Sequence, residues 1–133
     1  MEENFVGQVT LKAVLKYKDS FVLVKEEGGD HWILPGGRLN VGEQAEDGLI
    51  REIKEELSVD SEIGKILSVN AYHGGEKKKT PKLFVFYLAT VLPNQEITIN
   101  AEIVDVAYVS NKKELEKYPM HENQKSVLEK FLD

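Results

Sequence analysis

The sequence predicts an α/β fold, of the α+β kind with a mixed sheet, in a single domain covering residues 1–133. Three observations carry that expectation. Segments that alternate with a period of two occur early, in the middle and late in the chain, one long segment of helical period lies between them, and another closes the sequence. The 133 residues are 41% hydrophobic and 30% charged, which suits one domain able to bury its own core. No cysteine is present, so that core forms without disulfides, and thiol catalysis, cysteine-held iron–sulfur clusters and cysteine zinc sites are excluded.

From Gly7 to Tyr17, Val9, Leu11, Ala13 and Leu15 alternate with Gln8, Thr10, Lys12 and Lys16, with Val14 the exception, and this predicts a strand. Lys18-Asp19-Ser20 is a turn signal, and Phe21-Val22-Leu23-Val24 pairs back as a hairpin until Glu27-Gly28-Gly29-Asp30 breaks it. His31 to Leu34 is a short apolar segment stopped by Pro35-Gly36-Gly37, which suits neither helix nor regular strand and requires an irregular path. Gly42 to Leu57 is the strongest helix, preceded by Asn40 with Glu43 three positions on, as in a capping box. Strands follow over Ile63 to Tyr72 and Lys82 to Leu92, the second rich in Phe84, Val85, Phe86 and Tyr87. Ala101 to Val109 alternates in part, Asn111 opens a short helix, and a last helix runs from Glu122 to Leu132.

Seventeen Lys and Arg against 23 Asp and Glu give a net charge of −6. An acidic domain lacks the electrostatic footprint of nucleic-acid binding, and an anionic substrate must be met by a cation. The acidic start Met1-Glu2-Glu3-Asn4 resembles neither a signal nor a transit peptide, and no apolar run approaches a bilayer span, so a soluble, cytoplasmic protein without membrane contact is expected.

The chemistry concentrates between Gly36 and Val59. At about 100° per residue, Glu55 lies about 60° to one side of Glu52 and Glu56 about 40° to the other, so three carboxylates share a face. Leu49, Ile50, Ile53 and Leu57 form a separate apolar face beside it. Gly48, one turn back, costs a helix about 1 kcal/mol relative to Ala, which a crowded metal or ligand would justify. Clustered acids disfavour one another's ionisation, and a divalent cation reverses that. All-oxygen donors suit hard ions, and Mg²⁺ binds through a few carboxylates plus substrate phosphates. An acidic helix alone is ordinarily a solvated face; the glycine-rich loop ahead of this one points instead to phosphate chemistry.

Gly37, Glu43, Arg51, Glu52, Ile53, Glu55, Glu56 and Val59 stand in register with the signature G-x5-E-x7-R-E-U-x-E-E-x-G-U, where U is a bulky aliphatic, and through them the chain resembles the Nudix hydrolases. Ser58 replaces the penultimate glycine, at the helix end where a left-handed residue is easiest for Gly. Trp32-Ile33-Leu34-Pro35 ahead of Gly36 strengthens the likeness. The resemblance implies a Nudix α/β/α sandwich, a mixed sheet flanked by the motif helix and the C-terminal helix, that hydrolyses a nucleoside diphosphate linked to another group. It implies that Glu52, Glu55 and Glu56 hold Mg²⁺ or Mn²⁺ with the Gly36 carbonyl, that Glu52 or Glu55 is the general base, and that Glu43 and Arg51 brace the motif. A further metal-binding acid from outside the motif is expected at Glu122, with Glu102 the alternative.

Lys25 and Arg38 are candidates to meet substrate phosphates, and Lys77-Lys78-Lys79 to steer an anion into the site. Trp32, Tyr72, Phe84, Phe86 and Tyr87 include candidate base-stacking residues, although aromatics at strand spacing are mostly core. His31, His73 and His121 are too dispersed in sequence to argue a metal cluster, and Tyr118 is read as packing. ADP-ribose hydrolases of the family carry a proline where this chain has Gly75, and dinucleoside polyphosphate hydrolases a tyrosine where it has Lys77. By elimination the resemblance implies a MutT-like nucleoside triphosphate pyrophosphatase. The alternatives are an ADP-ribose, nucleotide-sugar or dinucleoside polyphosphate hydrolase and a non-catalytic nucleotide-binding module. The expected partner is a small nucleotide.

Overall fold

A computed structural model describes residues 3–73, 80–100 and 102–133; the Lys77-Lys78-Lys79 run and the positions of Gly75 and Lys77 lie outside the described residues. The elements are β1 (Gln8–Tyr17), β2 (Ser20–Glu26), β3 (Gly36–Arg38), α1 (Ala45–Leu57), β4 (Ser61–Tyr72), β5 (Lys82–Val91), β6 (Ile103–Val109), α2 (Lys112–Leu115) and α3 (Glu122–Glu129). The sheet order is β4-β5-β1-β2-β6, with β3 on β1. β1 and β5 are parallel and the other pairs antiparallel, so the sheet is mixed.

Each face of the sheet carries its own core. Leu11, Ala13, Leu15, Val22 and Val24 pack with Leu49, Ile53 and Leu57 of α1. Val14, Leu23 and Phe86 pack with Leu115, Val127, Leu128 and Leu132 on the other side. Val14 broke the expected alternation because β1 is central: both its faces meet a helix layer, so both need apolar residues. The layers are those of the α/β/α sandwich.

The β1–β2 hairpin pairs only at its tight end, Lys16 with Phe21 and Tyr17 with Ser20. Farther down the strands diverge, and β3 fills the gap by pairing Gly36, Gly37 and Arg38 with Lys12, Leu11 and Thr10. The Pro35-Gly36-Gly37 segment, expected to be irregular, therefore begins a short strand, entered through Gly36 at φ +139°. A Cβ at Gly36 would run into the Leu11 carbonyl, so this close approach needs glycine.

The motif helix starts at Ala45, not Gly42, and its N-cap Gln44 makes no side-chain cap. Asn40 and Glu43 interact, the Asn40 N–H donating to Glu43 Oε1 at 2.7 Å, but this half of a capping box closes a loop ahead of the helix. Ser58 ends α1 in the left-handed region at φ 58°, its N–H donating to the Lys54 carbonyl. The chain after β5 crosses that helix end, where the Thr98 N–H donates to the Leu57 carbonyl and the Asn100 N–H to the Glu56 carbonyl. The last helix stops at Glu129, short of Leu132.

Candidate active site

The split between β1 and β2 brings the Gly36-Gly37 segment over one end of α1 and leaves a cleft of roughly 730 Å³ beside it. Glu52 of α1, Glu26 of β2, Glu102 before β6 and Lys12 of β1 all line that cleft. The register shift at the end of β2, with the Glu27 N–H donating to the Glu102 carbonyl at 2.8 Å, sets Glu26 and Glu102 side by side in the chain path.

The three motif acids occupy distinct environments. Glu56 is 2% exposed and accepts from the Gly36 N–H at 2.9 Å. Glu52 is half-buried, and a Cβ on Gly37 would lie 2.5 Å from its carboxyl carbon, so Gly37 is the cradle in which that carboxylate sits. The Glu55 side chain is 54% exposed, at the rim. Arg51 links two of them, with Nη1 3.0 Å from Glu52 and 3.3 Å from Glu55. The same guanidinium grips Glu43 through Nε at 3.1 Å and Nη2 at 2.8 Å and reaches the Arg38 carbonyl at 3.1 Å.

Burial is the largest cause holding the Glu52 carboxyl above its usual range and pushing Glu56 up to about 8. Repulsion among the acids raises both as the clustering implies, but contributes less than burial, and Arg51 and Lys12 oppose it. The Arg51 hydrogen bonds hold Glu43 down to about 2. Burial lowers Lys12, against the opposing fields of Glu56, Glu26 and Glu52.

Gly48 has a different cause from the crowded ligand expected of it. A Cβ there would approach Glu43 Oε1 at 2.8 Å and Leu11 Cδ1 at 3.1 Å, so the space is taken by the brace and the core.

Among the described residues, no three His, Asp or Glu side chains converge into a ready-made metal cage. The donor set nonetheless fits a hard divalent cation: Glu52 and Glu56 are carboxylates raised by burial, Glu102 and the Gly36 backbone share the cleft, and every donor is oxygen.

Other expected positions divide clearly. Arg38 lines the cleft, whereas Lys25 Nζ lies over the Trp32 ring at 5.7 Å and is not part of the lining. Glu122 is exposed and outside the lining, while Glu102 and Glu122's neighbours His121, Asn123 and Gln124 belong to it. The α3 start projects its successive side chains in different directions, and Glu122 points elsewhere. Tyr72 and Phe84 line the cleft, Phe86 and Tyr87 are core, and Trp32 packs edge-on against Tyr118 at 5.1 Å. Sequence reasoning missed Lys12, Lys82 and Glu26, and also the stacking of His31 on His121 at 4.0 Å. The strand alternation had already put Thr10 and Lys12 on one side of β1; that this side is a cleft floor depends on which strands neighbour it.

The family model described as NUDIX domain matches residues 9–131. A nucleoside triphosphatase NudI of Escherichia fergusonii is 36% identical over 86 residues, 59% of this chain and 60% of that protein. Nudix hydrolase 2 of Arabidopsis thaliana is 32% identical over 94 residues, 67% of this chain and 32% of its own length. The chain thus spans less than two-thirds of these relatives. Among solved structures, a MutT protein from Methanosarcina mazei superposes with a TM-score of 0.76 at 21% identity, covering 93% of this chain and 91% of that one. An ADP-ribose pyrophosphatase from Streptococcus suis gives 0.73 at 24%, covering 94% and 91%. At these identities the structures establish the fold.

Proposed function

Because the chain belongs to the NUDIX family, we propose that it is a divalent-cation-dependent pyrophosphohydrolase that converts a nucleoside triphosphate into a nucleoside monophosphate and pyrophosphate. The observation that carries this reading is Glu52, a half-buried carboxylate held against Gly37 at the wall of a cleft that also presents cations. The similarity to a nucleoside triphosphatase supports the choice of substrate.

Glu52, Glu55 and Glu56, the Gly36 carbonyl and Glu102 are the proposed ligands of Mg²⁺ or Mn²⁺, with Glu102 in place of Glu122 because it lines the cleft. When bound, the cation neutralises phosphate charge and makes water more acidic. Of the two candidate bases, Glu52 is the better placed to take the proton of the attacking water, since it faces the cleft while Glu55 is at the rim. Arg38 is the proposed phosphate contact, and Glu43 with Arg51 keeps the acids at fixed spacing.

The test is a chromatographic assay with Mg²⁺ over canonical and oxidised nucleoside triphosphates, ADP-ribose, NADH and diadenosine polyphosphates. Monophosphate and pyrophosphate from a triphosphate support the reading; preference for ADP-ribose or a dinucleotide overturns the substrate. Absence of all turnover with Mg²⁺ and Mn²⁺ leaves a nucleotide-binding module. Glu52→Gln is expected to lower turnover by about 100-fold or more with the melting temperature nearly kept, because the amide retains the shape but not the basicity.

A further inference from the structure

The turn that presents Gly36 is held from outside the motif. Lys12 is 6% exposed, and its Nζ donates to the Leu34 carbonyl at 3.0 Å. Gln124, in the first turn of α3 and 5% exposed, accepts from the Leu34 N–H at 2.8 Å through Oε1. Both backbone polar groups of one fully buried residue are thus satisfied by side chains from opposite parts of the chain. Two residues on, the Gly36 N–H reaches the buried carboxylate of Glu56 at 2.9 Å.

Strand-type bonds hold the neighbours, Ile33 exchanging backbone hydrogen bonds with Val24 of β2 and the Pro35 carbonyl accepting from the Ala13 N–H of β1, while the two backbone groups of Leu34 itself go to side chains. A buried ammonium is an expensive way to satisfy one carbonyl, since taking a charge out of water costs several kcal/mol unless neighbours compensate it. Here the neighbours that compensate are the site's own acids, Glu56, Glu26 and Glu52. Lys12 also stands opposite Gly36 in the β1–β3 register, and its neighbour Ala13 donates its N–H to the Pro35 carbonyl at 2.9 Å.

We propose that Lys12 and Gln124 are a pair of positioning residues, clamping Leu34 from its two sides so that Gly36 and Glu56 are held at the spacing the metal site requires. The clamp makes α3, which carries cleft residue Asn123 and follows His121, mechanically continuous with the motif acids. It rests on the hydrolase reading above, and its test uses Mn²⁺ alone as the probe.

Mn²⁺ binding is followed by electron paramagnetic resonance and the Gly36 amide by ¹⁵N–¹H NMR in wild type, Gln124→Met, Lys12→Met and the double variant. Gln124→Met leaves the charge unchanged and is expected to weaken Mn²⁺ binding about tenfold, the usual scale for losing a group that orients metal ligands. The Gly36 amide resonance shifts upfield in each single variant, and the double variant shifts it by less than the sum of the two single changes, because both act on the one residue Leu34. A Gly36 resonance and a Mn²⁺ affinity unchanged in Gln124→Met, with only the Leu34 amide moving, overturn the proposal and leave the hydrolase reading intact. Wild-type protein that binds no Mn²⁺ overturns both. If Lys12→Met does not fold, Gln124→Met decides the matter alone.

Discussion

Substituting Gly37 by Ala inserts one methyl group into the contact that seats Glu52. The added Cβ would lie 2.5 Å from the Glu52 carboxyl carbon and Oε2 and 2.7 Å from Oε1. Ordinary contact between such atoms begins near 3.5 Å, so the carboxylate must retreat by about 1 Å. It is the end of a flexible side chain, so the retreat is cheap for the fold, about 1 kcal/mol or less. It is costly for chemistry, because a misplacement of about 1 Å at a reacting group lowers rates by about 100-fold. The 3.0 Å contact between Glu52 and Arg51 is lost or remade with the same movement. Gly36→Ala provides the contrast: its Cβ meets the Leu11 carbonyl, a backbone atom in the central strand that has nowhere to go. Steady-state hydrolysis of the preferred substrate, beside urea denaturation of both variants, separates the two effects. Gly37→Ala is expected to fold normally and to turn over about 100-fold more slowly, whereas Gly36→Ala loses about 3 kcal/mol or more of stability. A Gly37→Ala enzyme with wild-type turnover refutes the claim that Gly37 sets the position of Glu52.

Ser58→Gly relieves a left-handed residue at the end of α1 and is expected to add about 0.5–1 kcal/mol by urea denaturation, with activity unchanged; a loss of stability would show that the Ser58 side chain matters. The Ser61 hydroxyl is buried without a hydrogen-bond partner among the described residues, so Ser61→Ala should be neutral or stabilising by up to about 1 kcal/mol, and a marked loss would count against that view. Glu43 is held at about 2, below its ordinary value of 4.5, so the stability it lends is fully present above pH 4.5 and is lost as pH falls through about 2. Glu43→Gln should therefore flatten the melting temperature against pH over that acid limb, and an unaltered slope would mean that Arg51 does not hold the carboxylate.

The helix that carries Glu52, Glu55 and Glu56, its apolar stripe, the glycines ahead of it and most strands were legible in the sequence, because each depends on neighbours within a few residues or on a period of 2 or 3.6. Leu49, Ile53 and Leu57 reach the core as the wheel places them, with Ile50 at its margin. Boundaries slipped where a local signal served a different end: Asn40 and Glu43 looked like a helix cap and instead close the loop ahead of α1. Gly48 looked like room for a ligand, yet Glu43 and Leu11 fill the space, and both arrive from outside the helix.

The motif's spacing determined which acids share a helix and which glycines precede them, since those relations run along a single regular element. Only the tertiary structure decided which residues from elsewhere join them. Glu102 faces the cleft and Glu122 does not because the chain after β5 is tied to the end of α1 and then to Glu27, whereas Glu122 occupies the outward side of α3. Lys12, one of two lysines on an alternating strand, is buried because β1 lies at the centre of the sheet with β3 wedged beside it. Strand order and the parting of a hairpin are set by contacts far apart in sequence, and no local period encodes them.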